Sequence, residues 1–210
     1  MRKHYMIERT GKTDTRGRIL SAAMDLFAAH GFHGTTVDAI VQAAEVNKRM
    51  VYHYFGSKEK LYKAALVEIY KRLSLLEVET FRHSDDIEEN FREIVALYFD
   101  FLRANPDFTR LVLWENLNEG RGLKSARPQL TKNPVLHLLD RALKRAKAKG
   151  VVRREIHARH LLIHLIALCQ IYTSNRHTLS QALGMDLGSP RVLREGKKQA
   201  IDLLLNGIMA

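Results

Sequence analysis

TTVDAIVQAAEVNKRMVYHYFGSKEKL, residues 35–61, sets two short helical patterns, a tight turn, an aromatic stop and a fresh helix start end to end. Thr35-Thr36 offers an N-cap, after which Val37, Ile40, Val41 and Ala44 recur at helical spacing. Glu45-Val46 interrupts that pattern. Asn47 then offers a second cap for Lys48-Arg49-Met50-Val51-Tyr52-His53-Tyr54-Phe55, Gly56 closes the run as a C′ residue, and Ser57 with Glu59-Lys60 opens the next helix. Two helices joined by a three- or four-residue turn form a helix-turn-helix, whose second helix is sized for the major groove of DNA.

Working outward, helical spacing dominates and no alternating strand emerges, so the expected fold class is all-α. One helix is expected from about Thr13 to His30, with Ile19, Leu20, Ala23, Leu26 and Phe27 on one face and Gly31 at its end. After the short pair, a long helix should run from Ser57 to about Phe81. Ser84-Asp85 caps another, which Asn105-Pro106 terminates because proline cannot continue a helix interior. A short helix from Phe108 to Leu117 precedes a loop over Glu119 to Thr131, marked by its glycines and Pro128. Asn133-Pro134 starts a helix to Lys149, a longer one extends from about His157 to Leu183, and the last covers roughly Arg191 to Asn206. The expected organisation is a flexible basic arm over 1–12, a helix-turn-helix domain over 13–60 and a helical domain over 61–210.

The chain of 210 residues carries a formal net charge of +11, which favours a polyanionic partner, nucleic acid before membrane. No apolar run reaches the roughly 18 residues of a membrane span. The N-terminus lacks an apolar segment behind its basic residues, so neither export nor a membrane partner is expected. The single Cys169 excludes an internal disulfide framework and fits a reducing, cytoplasmic setting, where it reads as a small core hydrophobe. His157, His160 and His164 share a helical face, and the last two have the i, i+4 spacing of two-histidine metal sites. No accompanying glutamate completes that motif, so the three read as polar residues at a dimer rim rather than metal ligands, and no cofactor is expected. Gly120-Arg121-Gly122 is too short for a nucleotide-binding loop, and no nucleophile–base arrangement stands out, so the chain does not read as an enzyme.

Residues 19–62, ILSAAMDLFAAHGFHGTTVDAIVQAAEVNKRMVYHYFGSKEKLY, resemble the N-terminal domain of TetR/AcrR-type transcriptional regulators. The resemblance rests on Leu-Phe-x-x-x-Gly-Phe, the threonine pair, the turn, and the block Tyr-x-Tyr-Phe-x-Ser-Lys-Glu-x-Leu. It implies that Lys48 and Arg49 reach base edges, where both donate to guanine O6 and N7. Tyr52, His53, Thr36 and Lys58 match phosphate-contacting positions, and Asn47 caps its helix, touches DNA, or both. Tyr54 and Phe55 read as core plugs. Two residues depart from the family pattern: Glu45 stands where glycine is frequent in the turn, and Asp38 puts a carboxylate where it faces phosphates, a cytosine N4 or a nearby arginine.

The resemblance further implies a C-terminal ligand-binding and dimerisation domain, whose last two long helices pair with their two-fold mates. Phe99, Leu102, Phe108, Leu111, Trp114, Leu138, Cys169 and Tyr172 are the candidates for an effector lining, or else pack in the core; Arg110 and Arg121 are candidates for an acidic ligand, or ordinary surface arginines. Leu161, Leu165, Leu168, Ile201, Leu204, Leu205 and Ile208 serve the dimer interface or the core. The expected function is that of a homodimeric regulator, a repressor that leaves a palindromic double-stranded operator when a small molecule binds. The alternatives are a DNA organiser without effector and, more remotely, an enzyme or carrier.

Overall fold

The computed structural model describes residues 14–81, 86–130 and 134–210. The basic arm, the Ser84-Asp85 cap and Asn133 lie outside them. Among the described residues every regular element is a helix, and the fold is all-α: α1 (Thr15–Gly34), α2 (Val37–Ala44), α3 (Lys48–Phe55), α4 (Lys58–Thr80), α5 (Ile87–Ala104), α6 (Pro106–Leu117), α7 (Arg121–Leu130), α8 (Pro134–Ala148), α9 (Ala158–Ser174), α10 (Arg176–Leu183) and α11 (Pro190–Ile208). Two compact units emerge, one of residues up to Arg72 with 105–132, the other of 73–104 with 133–210. The boundary falls inside α4, and α6 and α7 join the helix-turn-helix, so the units do not follow a cut after residue 60.

The first unit is organised around a glycine. Gly31 interrupts α1 at φ 68°, ψ −179°, a region essentially reserved for glycine. A Cβ there would stand 2.9 Å from Cδ2 of Trp114, whose indole covers that face while its Nε1 donates to the Ala28 carbonyl at 3.3 Å. The Thr35 hydroxyl donates to the Gly31 carbonyl at 2.8 Å, with the Leu26 carbonyl also within reach at 3.0 Å. Phe27 and Phe32 pack on Tyr62 with ring centroids 4.8 and 5.2 Å apart. The Tyr62 hydroxyl donates to Oε1 of the buried Glu115 at 2.7 Å, and the Leu123 amide donates to Oε2 at 2.9 Å. Burial first and Glu115 second push the Tyr62 pKa well up, which keeps it a donor.

Two expectations change here. The loop over Glu119 to Thr131 is instead α7. Glu119 and Gly120, at φ 57° and 67°, make the turn that ends α6. Gly122 serves close packing inside a helix, since a Cβ would meet Glu115, Leu66 and Tyr62 at 2.7–2.8 Å. The single helix expected from His157 to Leu183 breaks at Asn175 (φ −107°, ψ 15°) into α9 and α10.

In the second unit α5 is the central element. Phe91, Ile94, Val95, Leu97, Tyr98, Phe99, Phe101 and Leu102 are all buried, so its apolar surface wraps most of its circumference. α8, α9 and α11 pack against it. The C-terminus closes back through a Val152–Met209 antiparallel bridge, with the Arg153 amide on the Ile208 carbonyl at 3.0 Å. Within this core the Tyr98 hydroxyl donates to buried Glu77, whose own pKa burial raises against the lowering effect of that bond. Burial pushes the Cys169 thiol up to about 12, so it stays a protonated core group, as expected from its apolar setting.

Both cores generate a stability prediction. Gly31→Ala combines a backbone penalty with a clash and should cost about 2–4 kcal/mol. The fluorescence of Trp114, the sole tryptophan, reports the change during denaturant unfolding. Glu77 has a folded pKa above its unfolded value, so its stabilising contribution is full below about 4.5 and is lost as pH rises through the folded pKa. Glu77→Gln should therefore flatten the decline in stability above that pH relative to wild type, measured as melting temperature across a pH series.

Candidate nucleic-acid interface

Both short helices and the long α4 after them begin on a side-chain cap. Thr36 accepts from the Ala39 amide at 3.1 Å, Asn47 from the Arg49 amide at 2.8 Å, and Ser57 from the Lys60 amide at 3.2 Å. Thr35, by contrast, is buried and pins the end of α1, so only one member of the threonine pair is a cap. Glu45 takes the left-handed conformation (φ 53°, ψ 51°) at the end of α2; its amide lies 3.2 Å from the Gln42 carbonyl, and the Val46 amide donates to the Val41 carbonyl. The turn keeps the shape that glycine would give it, at a backbone cost of about 1 kcal/mol.

Val51 and Phe55 anchor α3 in the core, at 0% and 7% exposure. The opposite face presents Lys48, Arg49, Tyr52 and His53 to solvent, with Asn47 and Thr36 exposed beside them. The candidate residues of α3, with Asn47 and Thr36, thus share exposure, and the Lys48–Asp38 ion pair links α2 to α3, whereas Lys58 is half-buried at the start of α4. Tyr54 departs from its expected role: it is 39% exposed, with its ring 5.0 Å from His53, and only Phe55 is a core plug. The Arg16 guanidinium covers the Phe55 ring at 5.2 Å.

Two charges on this surface are already engaged. Lys48 Nζ lies 2.8 Å from the Asp38 carboxylate, and that hydrogen bond raises the lysine pKa. Asp38 thus has a basic partner in the free chain, but it is Lys48 of the next helix and not the expected arginine. Lys58 Nζ sits 4.4 Å above the Phe32 ring, a cation–π contact that fixes the direction of its ammonium. Arg49 is exposed and outside any ion pair among the described residues, which leaves its guanidinium open to a ligand. The local sequence names neither partner, because each contact joins residues 10 or more apart on different helices.

The candidate effector residues divide between the units. Phe99, Leu102, Leu138, Cys169 and Tyr172 belong to the second, where the Phe99 and Tyr172 rings meet at 5.3 Å and Leu138 is half-buried. Phe108, Leu111 and Trp114 belong to the first, where Phe108 meets Tyr70 at 5.6 Å and Trp114 covers Gly31. Arg110 is exposed, and Arg121 lies 3.6 Å from Glu119. His157, His160 and His164 line an open groove of about 610 Å³ with Leu161, Leu168 and Leu203. Among the described residues no group of three histidine, cysteine or carboxylate side chains is placed to hold a metal ion. Nor is any helix among them long and apolar enough to cross a membrane.

Comparisons with known proteins extend the match beyond the reader. Residues 19–65 match the N-terminal model of bacterial regulatory proteins of the tetR family, and residues 88–204 match a tetracyclin repressor-like C-terminal domain. The HTH-type transcriptional repressor NicS of Pseudomonas putida is 34% identical over 195 residues, 92% of each chain. The repressor SCO4008 of Streptomyces coelicolor is 29% identical over 154 residues, 73% of this chain and 76% of its own. Among solved structures, the transcriptional regulator FadR of Bacillus subtilis, in complex with stearoyl-CoA, superposes with a TM-score of 0.72 at 19% identity, covering 91% of this chain and 98% of that one. A reader on capped short helices, followed by a second helical domain that matches its own family model, places this chain in the TetR family of transcriptional regulators.

Proposed function

We propose that the chain is a ligand-responsive repressor that binds a palindromic operator as a homodimer in the cytoplasm and catalyses no reaction. The exposed face of α3, bearing Lys48, Arg49, Tyr52 and His53 on a buried Val51–Phe55 anchor, carries the reading. Lys48 and Arg49 read bases; Tyr52, His53, Thr36 and Lys58 hold phosphates. Asn47 caps α3 and keeps its amide nitrogen for DNA. Asp38 holds Lys48 until a base edge or phosphate replaces it, so the pair works as an exchange of partners.

One α3 offers too few base contacts for tight binding, whereas two on a two-fold axis span half-sites one helical turn apart, about 34–36 Å. The dimer is supported by α9 and α11, which expose Ile163 and Leu203 and line the groove between Leu161 and Ile208. Repression is supported by NicS and SCO4008, both named repressors. A small-molecule effector is supported by the shared fold of FadR, which holds stearoyl-CoA. Effector binding shifts the population toward a state with altered half-site spacing, and α4, unbroken from Lys58 to Thr80, contributes residues to both units and is the natural carrier of that shift.

The testing experiment is binding to DNA from around the chain's own gene, with excess nonspecific competitor and a salt series. Competitor-resistant binding to a short two-fold-symmetric segment supports the proposal; sequence-blind binding lost by physiological salt sinks it. Lys48→Ala should relax discrimination at particular base pairs, flattening a mismatch penalty of about 1–3 kcal/mol. Tyr52→Phe should weaken all sequences evenly. Asp38→Asn should tighten binding to operator and nonspecific DNA alike, by removing a carboxylate from the phosphate-facing surface, with the gain shrinking as salt rises.

A further inference from the structure

In the second unit a cavity of about 230 Å³ opens between α5 and the start of α11. Its floor is apolar: Phe99, 5% exposed and braced by Tyr172, with Leu193 and Pro190 beside it. Its walls are cationic. Arg103, Arg194 and Lys197 face it against a single carboxylate, Asp100, which lies 3.6 Å from Lys197. That pairing leaves two guanidiniums, and neither Arg103 nor Arg194 has an ion-pair partner among the described residues. Two like charges at one concave, partly apolar site repel each other and focus a positive potential there. The dipole of α11, which begins at Pro190, adds to that potential.

We infer that this cavity binds a small organic anion, its carboxylate or phosphate held by Arg103 and Arg194 and its compact apolar body resting on Phe99. A guanidinium is the side chain suited to such a partner, since its planar fork donates two parallel hydrogen bonds to a carboxylate or phosphate. The volume lies below the range for drug-sized ligands and fits a single-ring or short-chain body. The inference rests on the reading of the chain as a ligand-responsive regulator and assigns that reading a chemical class of effector. It also gives Phe99 and Tyr172, two of the candidate effector residues, separate tasks: floor and brace.

The test is calorimetric titration of the full chain, without DNA, at constant ionic strength, using benzoate, benzamide and inorganic phosphate as probes. Benzoate should saturate, with benzamide and phosphate each at least about tenfold weaker, because each lacks one half of the recognised chemistry. Arg103→Gln/Arg194→Gln should lose benzoate binding by about tenfold or more and unfold at the wild-type denaturant midpoint, since both side chains are exposed. Benzamide or phosphate binding as tightly as benzoate, benzoate failing to saturate, or binding undiminished in the double variant would overturn the assignment. Operator binding is measured separately on the same protein, so failure of the regulator reading shows as lost DNA specificity, whatever the anion titration gives.

Discussion

Gly31 and Trp114 form the contact on which the reader's architecture turns. The helix cannot pass through residue 31 with a side chain there, because the backbone is glycine-only and the indole fills the space a Cβ would take. The break presents the Gly31 carbonyl to the Thr35 hydroxyl, which fixes where α1 stops and so where Thr36 starts α2. The same break aims Phe32 at Tyr62, and Phe32 in turn receives the Lys58 ammonium. The cap of the helix before the recognition helix and the orientation of one proposed phosphate ligand thus both follow from a site that touches no DNA.

The interface itself shows a different economy. Two of its cations are restrained by weak partners: the exposed Asp38 for Lys48, a half-buried aromatic face for Lys58. Exposed pairs are worth little on their own. They limit the conformations of long side chains before a ligand arrives and yield when a phosphate or base competes. Deep in each unit the reverse holds. Glu115 and Glu77 are buried, with tyrosine hydroxyls as donors, and Glu115 takes a backbone amide as well. Groups that specify structure are desolvated and satisfied; groups proposed to meet a ligand are solvated and exchangeable.

Local chemistry explains what was legible. The caps at Thr36, Asn47 and Ser57, the stop at Gly56 and the apolar spacing of α1 to α4 are all decided within a few residues, so the reader can be followed in the sequence almost helix by helix. Gly122 could not be read that way: its reason is Glu115, on the helix before the turn, together with Leu66 and Tyr62 far back in the chain, so it resembled the turn glycine two residues before it. Tyr54 failed for a related reason, since an aromatic at one end of a short helix is core or surface according to a phase error of one position. The cationic cavity draws Arg103 and Arg194 from the two separate chain segments of the second unit, with no local motif to mark either. The effector list mixed residues of two units because apolar residues at helical spacing look alike wherever they pack.

The compact unit that holds the reader is discontinuous in sequence, and this constrains how the chain is made. The bond from Trp114 to Ala28 spans 86 residues, and the Glu115–Tyr62 bond spans 53. At translation rates of about 5–20 residues per second, α1 to α3 leave the ribosome several seconds before the helix that covers Gly31 has been synthesised. During that interval the nascent recognition surface is displayed by helices whose tightest packing partner does not yet exist. A regulator translated close to the DNA that encodes it would thus acquire a finished reader late, after most of α6 has emerged, rather than as soon as its helix-turn-helix is complete.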